Sequence, residues 1–272
     1  MPTRQEVEGW TILRGEAGST LHGLNLPGKD DRDEMGVCIE PISELVGFSE
    51  FEQFIYRSAT ERSGKHDEPS QPGDLDLTIY SLRKFLRLCM QGNPQLVQLL
   101  FTRHPAIVQI DARGYQLQEL YPYIVSRQAG SRYLGYLESQ RQRLLGERGQ
   151  KKVNRPELEE KYGFDTKYAM HMLRLGFQGV ELLSTGKLTL PMAEENRRFC
   201  FEARLGNVPL QEILTKVGLL ETELKDLISD GPLQPEPNRA YIEDWMCNLY
   251  METWKARQPI DPAFRKSLVS GG

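Results

Sequence analysis

The chain has 272 residues, of which 39% are hydrophobic and 26% are charged, and its formal net charge is −4. This composition is typical of a globular protein with a sizeable core, and its acidic balance means that any nucleic-acid binding must depend on a local basic patch. No run approaches the ~18 apolar residues of a membrane helix, and the first residues lack the pattern of a signal peptide, so we expect a cytoplasmic protein without a membrane segment. The four cysteines form no CxxC pair and have mostly apolar neighbours, which predicts buried, reduced thiols.

The N-terminal part of the sequence has the alternating apolar pattern of short strands. Strands are predicted over residues 10–13, 31–40, 51–57 (a strand or the end of a helix) and 74–80. In the last of these, Asp76, Thr78 and Tyr80 share one face of the strand. Gly18 opens a short helix that runs to Leu24, residues 25–30 have the composition of a turn, and the polar stretch 58–73 is expected to be a mobile surface loop.

Helical patterns follow the strand at 74–80. Ser81 is expected to cap a helix that ends near Gln91, and a second short helix ends near Phe101. From about residue 115 the strand signal fades, and helices are predicted over residues 157–186, 193–205, 209–217, 221–228 and 238–255. The proline-rich stretch 231–237 is predicted to be an extended linker.

Carboxylates and a small turn form the first group of residues with a chemical signature. The turn Gly18–Ser19 can offer backbone N–H groups to phosphate oxygens, and Asp31 and Asp33 follow it with the spacing that places both on one side of a strand. Two-metal phosphoryl transfer uses such carboxylates around two cations, and a third ligand is expected from a neighbouring strand. Asp76, between two leucines, fits best and is the predicted base for an attacking hydroxyl, with Asp74 as the alternative. A solvated acidic loop is the other interpretation of the first two acids; an EF-hand calcium loop is disfavoured because its alternating ligands and terminal Glu are missing.

Cationic residues form the second group. Lys167, His171 and Arg174 are spaced by four and three residues, which places them on one face of a helix, where they would neutralise phosphates; the alternative is an exposed basic face. Lys84, at the start of the helix after Ser81, either faces a phosphate or lies on the surface. His22 either caps the turn at residues 18–19 or contacts the nucleotide.

Several blocks of the sequence together resemble a known family. They are residues 18–24, 30–37, 74–85, 92–94, 167–175 and 181–186. In these blocks the chain resembles the nucleotidyltransferases of the DNA polymerase β superfamily, and more narrowly the predicted nucleotidyltransferases of bacteria and phages that include an RNA-repair-associated group. The resemblance covers about residues 10–225. In one departure, Asp30 stands where the general pattern often has a small residue, which blurs which acids would bind metal directly.

The resemblance implies an α+β fold, with a polymerase-β-type mixed sheet and packed helices followed by an α-helical region. It implies transfer of a nucleoside monophosphate from an NTP to an acceptor hydroxyl, with Mg²⁺, or Mn²⁺ in its place, and release of pyrophosphate. On this basis residues 1–114 form the catalytic domain, 115–230 a helical region that completes the active site, and 231–272 a C-terminal linker and helix. The implied metal ligands and catalytic residues are Asp31, Asp33 and Asp76, and the implied nucleotide-binding residues are Gly18, Ser19, Lys84, Lys167, His171 and Arg174.

The acceptor is predicted from a basic segment. Residues 141–155 carry six basic side chains and one glutamate, and the aromatic residues Tyr133 and Tyr136 lie just upstream with Arg127 and Arg132. Basic and aromatic side chains together are typical of an RNA-binding groove, which favours RNA or a tRNA end as the acceptor over a solvated charged helix. Other hypotheses are a protein-nucleotidylylating (AMPylating) enzyme of toxin type, a small-molecule nucleotidyltransferase and a non-enzymatic nucleotide-binding module.

Overall fold

The computed structural model describes residues 2–26, 32–48, 50–65, 68, 70–147 and 155–257. Predictions for Asp30 and Asp31 therefore lie outside the described residues, as do those for Arg148, Lys151 and Lys152. In the part of the chain that is described, no helix is long and apolar enough to cross a membrane.

A mixed sheet of five strands forms the N-terminal half of the described structure. The strands are β1 Thr11–Glu16, β2 Arg32–Cys38, β3 Gln53–Arg57, β4 Leu75–Ser81 and β5 Ile107–Ile110. They lie in the order β3-β4-β2-β1-β5. Strands β2 and β4 are parallel, and the other neighbours are antiparallel. The mixed sheet expected from the sequence is thus confirmed, and residues 53–57 are a strand.

Fourteen α-helices surround or follow this sheet in the described residues. They are α1 Arg4–Trp10, α2 Gly18–His22, α3 Ile42–Val46, α4 Ser58–Ser63, α5 Leu82–Met90, α6 Pro94–Val97, α7 Ala112–Gln118, α8 Tyr121–Ile124, α9 Gln128–Leu144, α10 Pro156–Tyr162, α11 Thr166–Thr185, α12 Glu194–Leu205, α13 Leu210–Asp230 and α14 Arg239–Arg257. A 3₁₀ turn at Gln98–Leu100 follows α6. The predicted change from strands to helices after residue 115 is confirmed, and so is the Ser81 cap, whose side chain accepts a hydrogen bond from the Lys84 N–H.

Some predicted boundaries are wrong for reasons that the structure shows. The loop predicted over 58–73 begins with helix α4, which is held to β4 by contacts of its side chains with Asp74. The helix predicted over 157–186 is two helices, because Gly163 adopts a left-handed φ of 81° after α10 and Asp165 caps α11. Conversely, the two helices predicted over 209–217 and 221–228 are one, because Gly218 continues α13 without a break.

Helix α11 is the centre of the helical half. It packs against α9, α12 and α13. Its approach to α13 and α9 is close, since a Cβ built on Gly176 would lie 2.8 Å from Leu220 and one on Gly179 would lie 3.0 Å from Tyr133. The helix is therefore held on three sides, and its remaining face is directed at the sheet domain.

The C-terminal segment packs back on the rest of the chain. Residues 231–237 contain no helix, as predicted, but they are anchored: the backbone N–H of Arg127 donates to the carbonyl of Gln234 at 2.9 Å. Helix α14 packs against α5 and α8. The Tyr250 hydroxyl donates to the buried carboxylate of Glu40 at 3.0 Å, and the indole of Trp254 donates to the Glu40 carbonyl at 2.8 Å.

The cysteine prediction is correct in three of four positions. Cys38, Cys89 and Cys200 are buried thiols, and burial raises the pKa of all three. Cys247 is exposed on α14, contrary to the expectation that its apolar neighbours would bury it.

Candidate active site

The register of three strands aligns charged side chains in one row. In the parallel pair, Asp33 of β2 lies directly opposite Asp76 of β4, and in the antiparallel pair Arg57 of β3 lies opposite the same Asp76. Paired residues point to the same face of a sheet, and neighbouring strands are about 4.8 Å apart. The two carboxylates therefore lie on one face of the sheet, on adjacent strands.

The turn at Gly18 lies directly against this row. Gly18 has a φ of +65°, and a Cβ built on it would lie 2.1 Å from Oδ2 of Asp33. The backbone N–H of Ala17 also donates to the Asp33 carbonyl at 2.9 Å. Only glycine fits here, because the position combines a left-handed φ with direct contact with a carboxylate.

These residues share a cavity of about 460 Å³ with the free face of α11. The sheet face contributes Asp33 and Asp76, and α11 contributes the predicted trio from the opposite wall. The cavity is lined by Gly18, Ser19, His22, Asp33, Arg57, Asp76, Lys167, His171 and Arg174 together with apolar residues that include Met35, Ile55 and Met170. Carboxylates and cations that are separated by more than 90 residues in sequence therefore face one cavity.

Burial and neighbouring cations determine the charge states on the α11 wall. Burial, together with Arg174, Lys167, Arg155 and Arg204, lowers the pKa of His171 to about 3, so that its imidazole is neutral at neutral pH. Burial also lowers the pKa of Arg174, but a guanidinium retains its charge even so. Its hydrogen bond at 2.9 Å is to a neutral acceptor, the side chain of Gln178. The wall thus presents positive charge that an anionic ligand would balance.

Arg57 is a cavity residue that the sequence analysis missed. Its Nε lies 3.3 Å from both carboxylate oxygens of Asp76, and its Nη2 donates to the Ser70 hydroxyl at 2.9 Å. The Ser70 hydroxyl in turn donates to Asp76 Oδ2 at 3.1 Å. The usable signal was the strand pairing of β3 with β4, which a single sequence does not display.

Asp74, the alternative third carboxylate, is committed to local contacts. It accepts two hydrogen bonds from Arg62, at 2.6 and 3.0 Å, one from Ser58 at 2.9 Å and one from the Gln71 N–H at 2.7 Å. The Arg62 hydrogen bond is the largest reason that the pKa of Asp74 is lowered. Asp74 does not line the cavity, so Asp76 is the better candidate.

Lys84 does not reach the cavity either. Its ammonium donates to Oε2 of Glu52 at 2.6 Å, and Glu52 also pairs with Arg87 at 2.8 Å. The contact is that of a surface ion pair on α5, which is the second of the two interpretations given for Lys84. Ser19 lines the cavity as expected, next to Gly18.

The basic and aromatic residues predicted to bind RNA make more contacts within the protein than expected. Tyr133 is only 1% exposed, so it is a core residue of α9 and offers no face to a base. Arg141 pairs with Glu221 at 2.7 Å, and Arg155 pairs with Asp165 at 3.0 Å. The interpretation of Tyr133 as a base-stacking residue is wrong, because Tyr133 lies four residues from Ala129 and from Leu137, on the buried face of α9 that packs against α11.

The residues present fit a hard divalent cation. Carboxylate oxygens are the ligands that Mg²⁺ prefers, and Asp33 and Asp76 supply them side by side. Among residues 2–26, 32–48, 50–65, 68, 70–147 and 155–257, no three His, Cys, Asp or Glu side chains converge to hold a metal ion. The third carboxylate expected from the sequence, Asp31, lies outside these ranges.

Comparison with known proteins identifies the family. The family model described as RlaP, the RNA repair pathway DNA polymerase beta family, matches residues 3–215. No curated protein sequence matches significantly. One solved structure, a nucleotidyltransferase-like protein from Exiguobacterium sibiricum 255-15, is 11% identical with a TM-score of 0.30, over 83% of this chain and 71% of that one. A likeness of that size supports no conclusion here. Members of such families generally use an NTP and a divalent metal ion. Since the family model covers more than half of the sequence, the chain belongs to the RNA repair pathway DNA polymerase β family and is a nucleotidyltransferase.

Proposed function

We propose that this protein transfers a nucleoside monophosphate from an NTP to a hydroxyl group of RNA, with Mg²⁺ as the metal ion and pyrophosphate as the leaving group. The observation that carries the proposal is the opposition of charges across one cavity: Asp33 and Asp76 on the sheet, and Lys167 and Arg174 on α11. A bound metal–triphosphate complex requires both signs, carboxylates for the cations and basic groups for the phosphates.

Each residue has a role that follows from its position. Asp31, Asp33 and Asp76 would hold the metal ions, which supply Lewis-acid stabilisation of the charge on the pyrophosphate. Asp76 takes the proton of the attacking hydroxyl. The hydroxyl oxygen forms a bond to the α-phosphorus while the bond from that phosphorus to the pyrophosphate oxygen breaks. Arg57 contacts Asp76 on the side away from Asp33 and fixes the direction of its carboxylate.

The α11 wall suits the phosphates. Lys167 is a mobile point charge, whereas the guanidinium of Arg174 offers a planar fork to phosphate oxygens. His171 is neutral at neutral pH and so provides one N–H donor without adding charge. The backbone of the Gly18–Ser19 turn adds donors from the other side of the cavity.

The apolar part of the cavity suits the nucleoside. Two residues along the strands from the carboxylates, the same sheet face carries Ile55, Thr78 and Met35 in register, and Met170 of α11 also lines the cavity. A cavity of about 460 Å³ is within the range of small-molecule and cofactor sites. A ribose and base can therefore lie over the apolar row while the phosphates lie at the carboxylate row.

RNA is favoured as the acceptor by the description of the family, which belongs to an RNA repair pathway. The test is incubation of the protein with each α-labelled NTP, Mg²⁺ and total cellular RNA or protein. We expect label in RNA, and none with D33N. Label that enters protein and never RNA would favour the AMPylating alternative, and the absence of Mg²⁺-dependent pyrophosphate release with every acceptor would refute transfer altogether.

A further inference from the structure

A chain of buried and part-buried side-chain hydrogen bonds connects the two walls of the cavity. Nη1 of Arg174 donates to Oε1 of Gln178 at 2.9 Å, and Nε2 of Gln178 lies 3.1 Å from Nδ1 of His22. The side chain of Gln98 also lies near His22 and acts to raise the pKa of the imidazole, against the effect of burial. His22, Gln178 and Gln98 are 4%, 2% and 5% exposed, so all three are buried.

Only one assignment of donors and acceptors is possible in this series of hydrogen bonds. A guanidinium has donors alone, so the amide oxygen of Gln178 must face Arg174 and its NH₂ group must face His22. Nδ1 of His22 is then an acceptor, which makes the ring neutral and places its proton on Nε2. Burial, followed by the charge of Arg174, lowers the pKa of His22 well below its usual value, in agreement with a neutral ring.

This series of hydrogen bonds connects the turn at Gly18 with the cationic wall of α11, and the proposed function requires a fixed distance between the two. His22 is the last residue of α2, whose first residue, Gly18, touches Asp33. Gln178 and Arg174 are one turn apart on α11. The amide of Gln178 thus holds α2 and its turn against α11, and at the same time aims the guanidinium fork of Arg174.

From this arrangement we infer that Gln178 and His22 are positioning residues of the nucleotide site, which set the separation of the phosphate-binding turn from the cation wall and the orientation of Arg174. The inference rests on the proposed function for the identity of the ligand. Neither residue takes part in the chemical step, so their loss weakens nucleotide binding and leaves the rate of the bound complex largely unchanged.

The test compares two buried glutamines. Q178L removes both hydrogen bonds of the chain. Q118L is the matched control, because Gln118 is also 2% exposed and its amide donates to the carbonyls of Leu99 and Thr102, away from the cavity. We expect Q178L to raise KM and Kd for the NTP by about tenfold, the loss of about one hydrogen bond to a charged group, with kcat little changed. Q118L is expected to lower Tm without changing KM.

Two further measurements keep the inference testable if Q178L is poorly folded. H22N retains an acceptor near the position of Nδ1 and is expected to keep KM within about threefold of wild type. H22A lacks this acceptor and is expected to raise KM by more than threefold. In wild-type protein, ¹⁵N NMR should show Nδ1 of His22 unprotonated and Nε2 protonated. A protonated Nδ1, or a Q178L variant that binds the NTP as wild type does, would overturn the inference. Wild-type protein that binds the NTP but transfers nothing would contradict the proposed function instead, and the Kd comparison by calorimetry would still decide the positioning role.

Discussion

The contact between Gly18 and Asp33 makes substitution of Gly18 by alanine a quantitative test of the site. The added Cβ would lie 2.1 Å from Oδ2 of Asp33, whereas ordinary van der Waals contact begins at 3.4 Å. Either the turn or the carboxylate must therefore move by about 1 Å or more. Because Asp33 is a proposed metal ligand and Gly18 lies in the proposed phosphate-binding turn, the movement changes the geometry of the reacting groups.

Two effects of G18A differ in size. An alanine at φ +65° costs about 1–2 kcal/mol of folding free energy. A misplacement of about 1 Å at reacting groups costs about 100-fold in rate. We therefore expect a modest loss of stability and a loss of transfer by about two orders of magnitude. G64A is the matched control, since Gly64 has a φ of +71° and nothing within 4 Å of its built Cβ.

The two variants are compared by urea unfolding and by the initial rate of pyrophosphate release at saturating NTP and Mg²⁺. A loss of unfolding free energy is expected for both, and it is larger in G18A because of the contact with Asp33, with slowed release in G18A alone. If G18A releases pyrophosphate at a rate within threefold of G64A, then the turn does not control the position of the metal ligand, and the assignment of Gly18 to the site is wrong.

Three other substitutions test separate parts of the structure. D33N should abolish transfer while Tm stays level or rises, because it relieves the repulsion between Asp33 and Asp76; unchanged activity would exclude the carboxylate role. K167A should raise KM for the NTP by about tenfold or more and leave the Mg²⁺ dependence of the rate as in wild type, and an unchanged KM would remove Lys167 from the phosphate site. Burial raises the pKa of Glu40 from 4.5, so the folded state favours the protonated acid. The free energy of unfolding therefore falls as the pH rises from the pKa of Glu40 in the unfolded state through its higher pKa in the folded state. E40Q should therefore have a higher Tm than wild type at pH 8, with the difference vanishing as the pH falls toward 4.5; an equal or lower Tm at pH 8 would contradict this account.

The predictable parts of the site are those that local periodicity determines. The alternation of Asp76, Thr78 and Tyr80 with apolar residues fixes which face of β4 they occupy, and all three line the cavity. The spacing of Lys167, His171 and Arg174 similarly fixes one face of α11. These inferences need no partner, because the repeat of a strand or helix determines the direction of each side chain.

Other parts depend on which segments pair, and a single sequence does not show this. Arg57 belongs to the site only because β3 is hydrogen-bonded to β4 with Arg57 opposite Asp76. Strand β5 has only four residues at the edge of the sheet, and two of them are exposed, so it has too little apolar pattern to be detected. Helix α1 is short as well, and its capping box of Thr3 and Glu6 was the available signal.

The register between β2 and β4 links the fold to the chemistry more directly than any single residue does. Asp33 and Asp76 lie on one face only while the parallel pairing places them opposite each other, and a slip by one residue would put one of them on the other face. Repulsion between these two carboxylates opposes this register, and the ion pair of Asp76 with Arg57 acts against that repulsion. The register is held by the apolar contacts of the same strands, with Val37, Leu77 and Ile79 all buried. The energy of the core thus keeps the two acids together in a position that a divalent cation would stabilise.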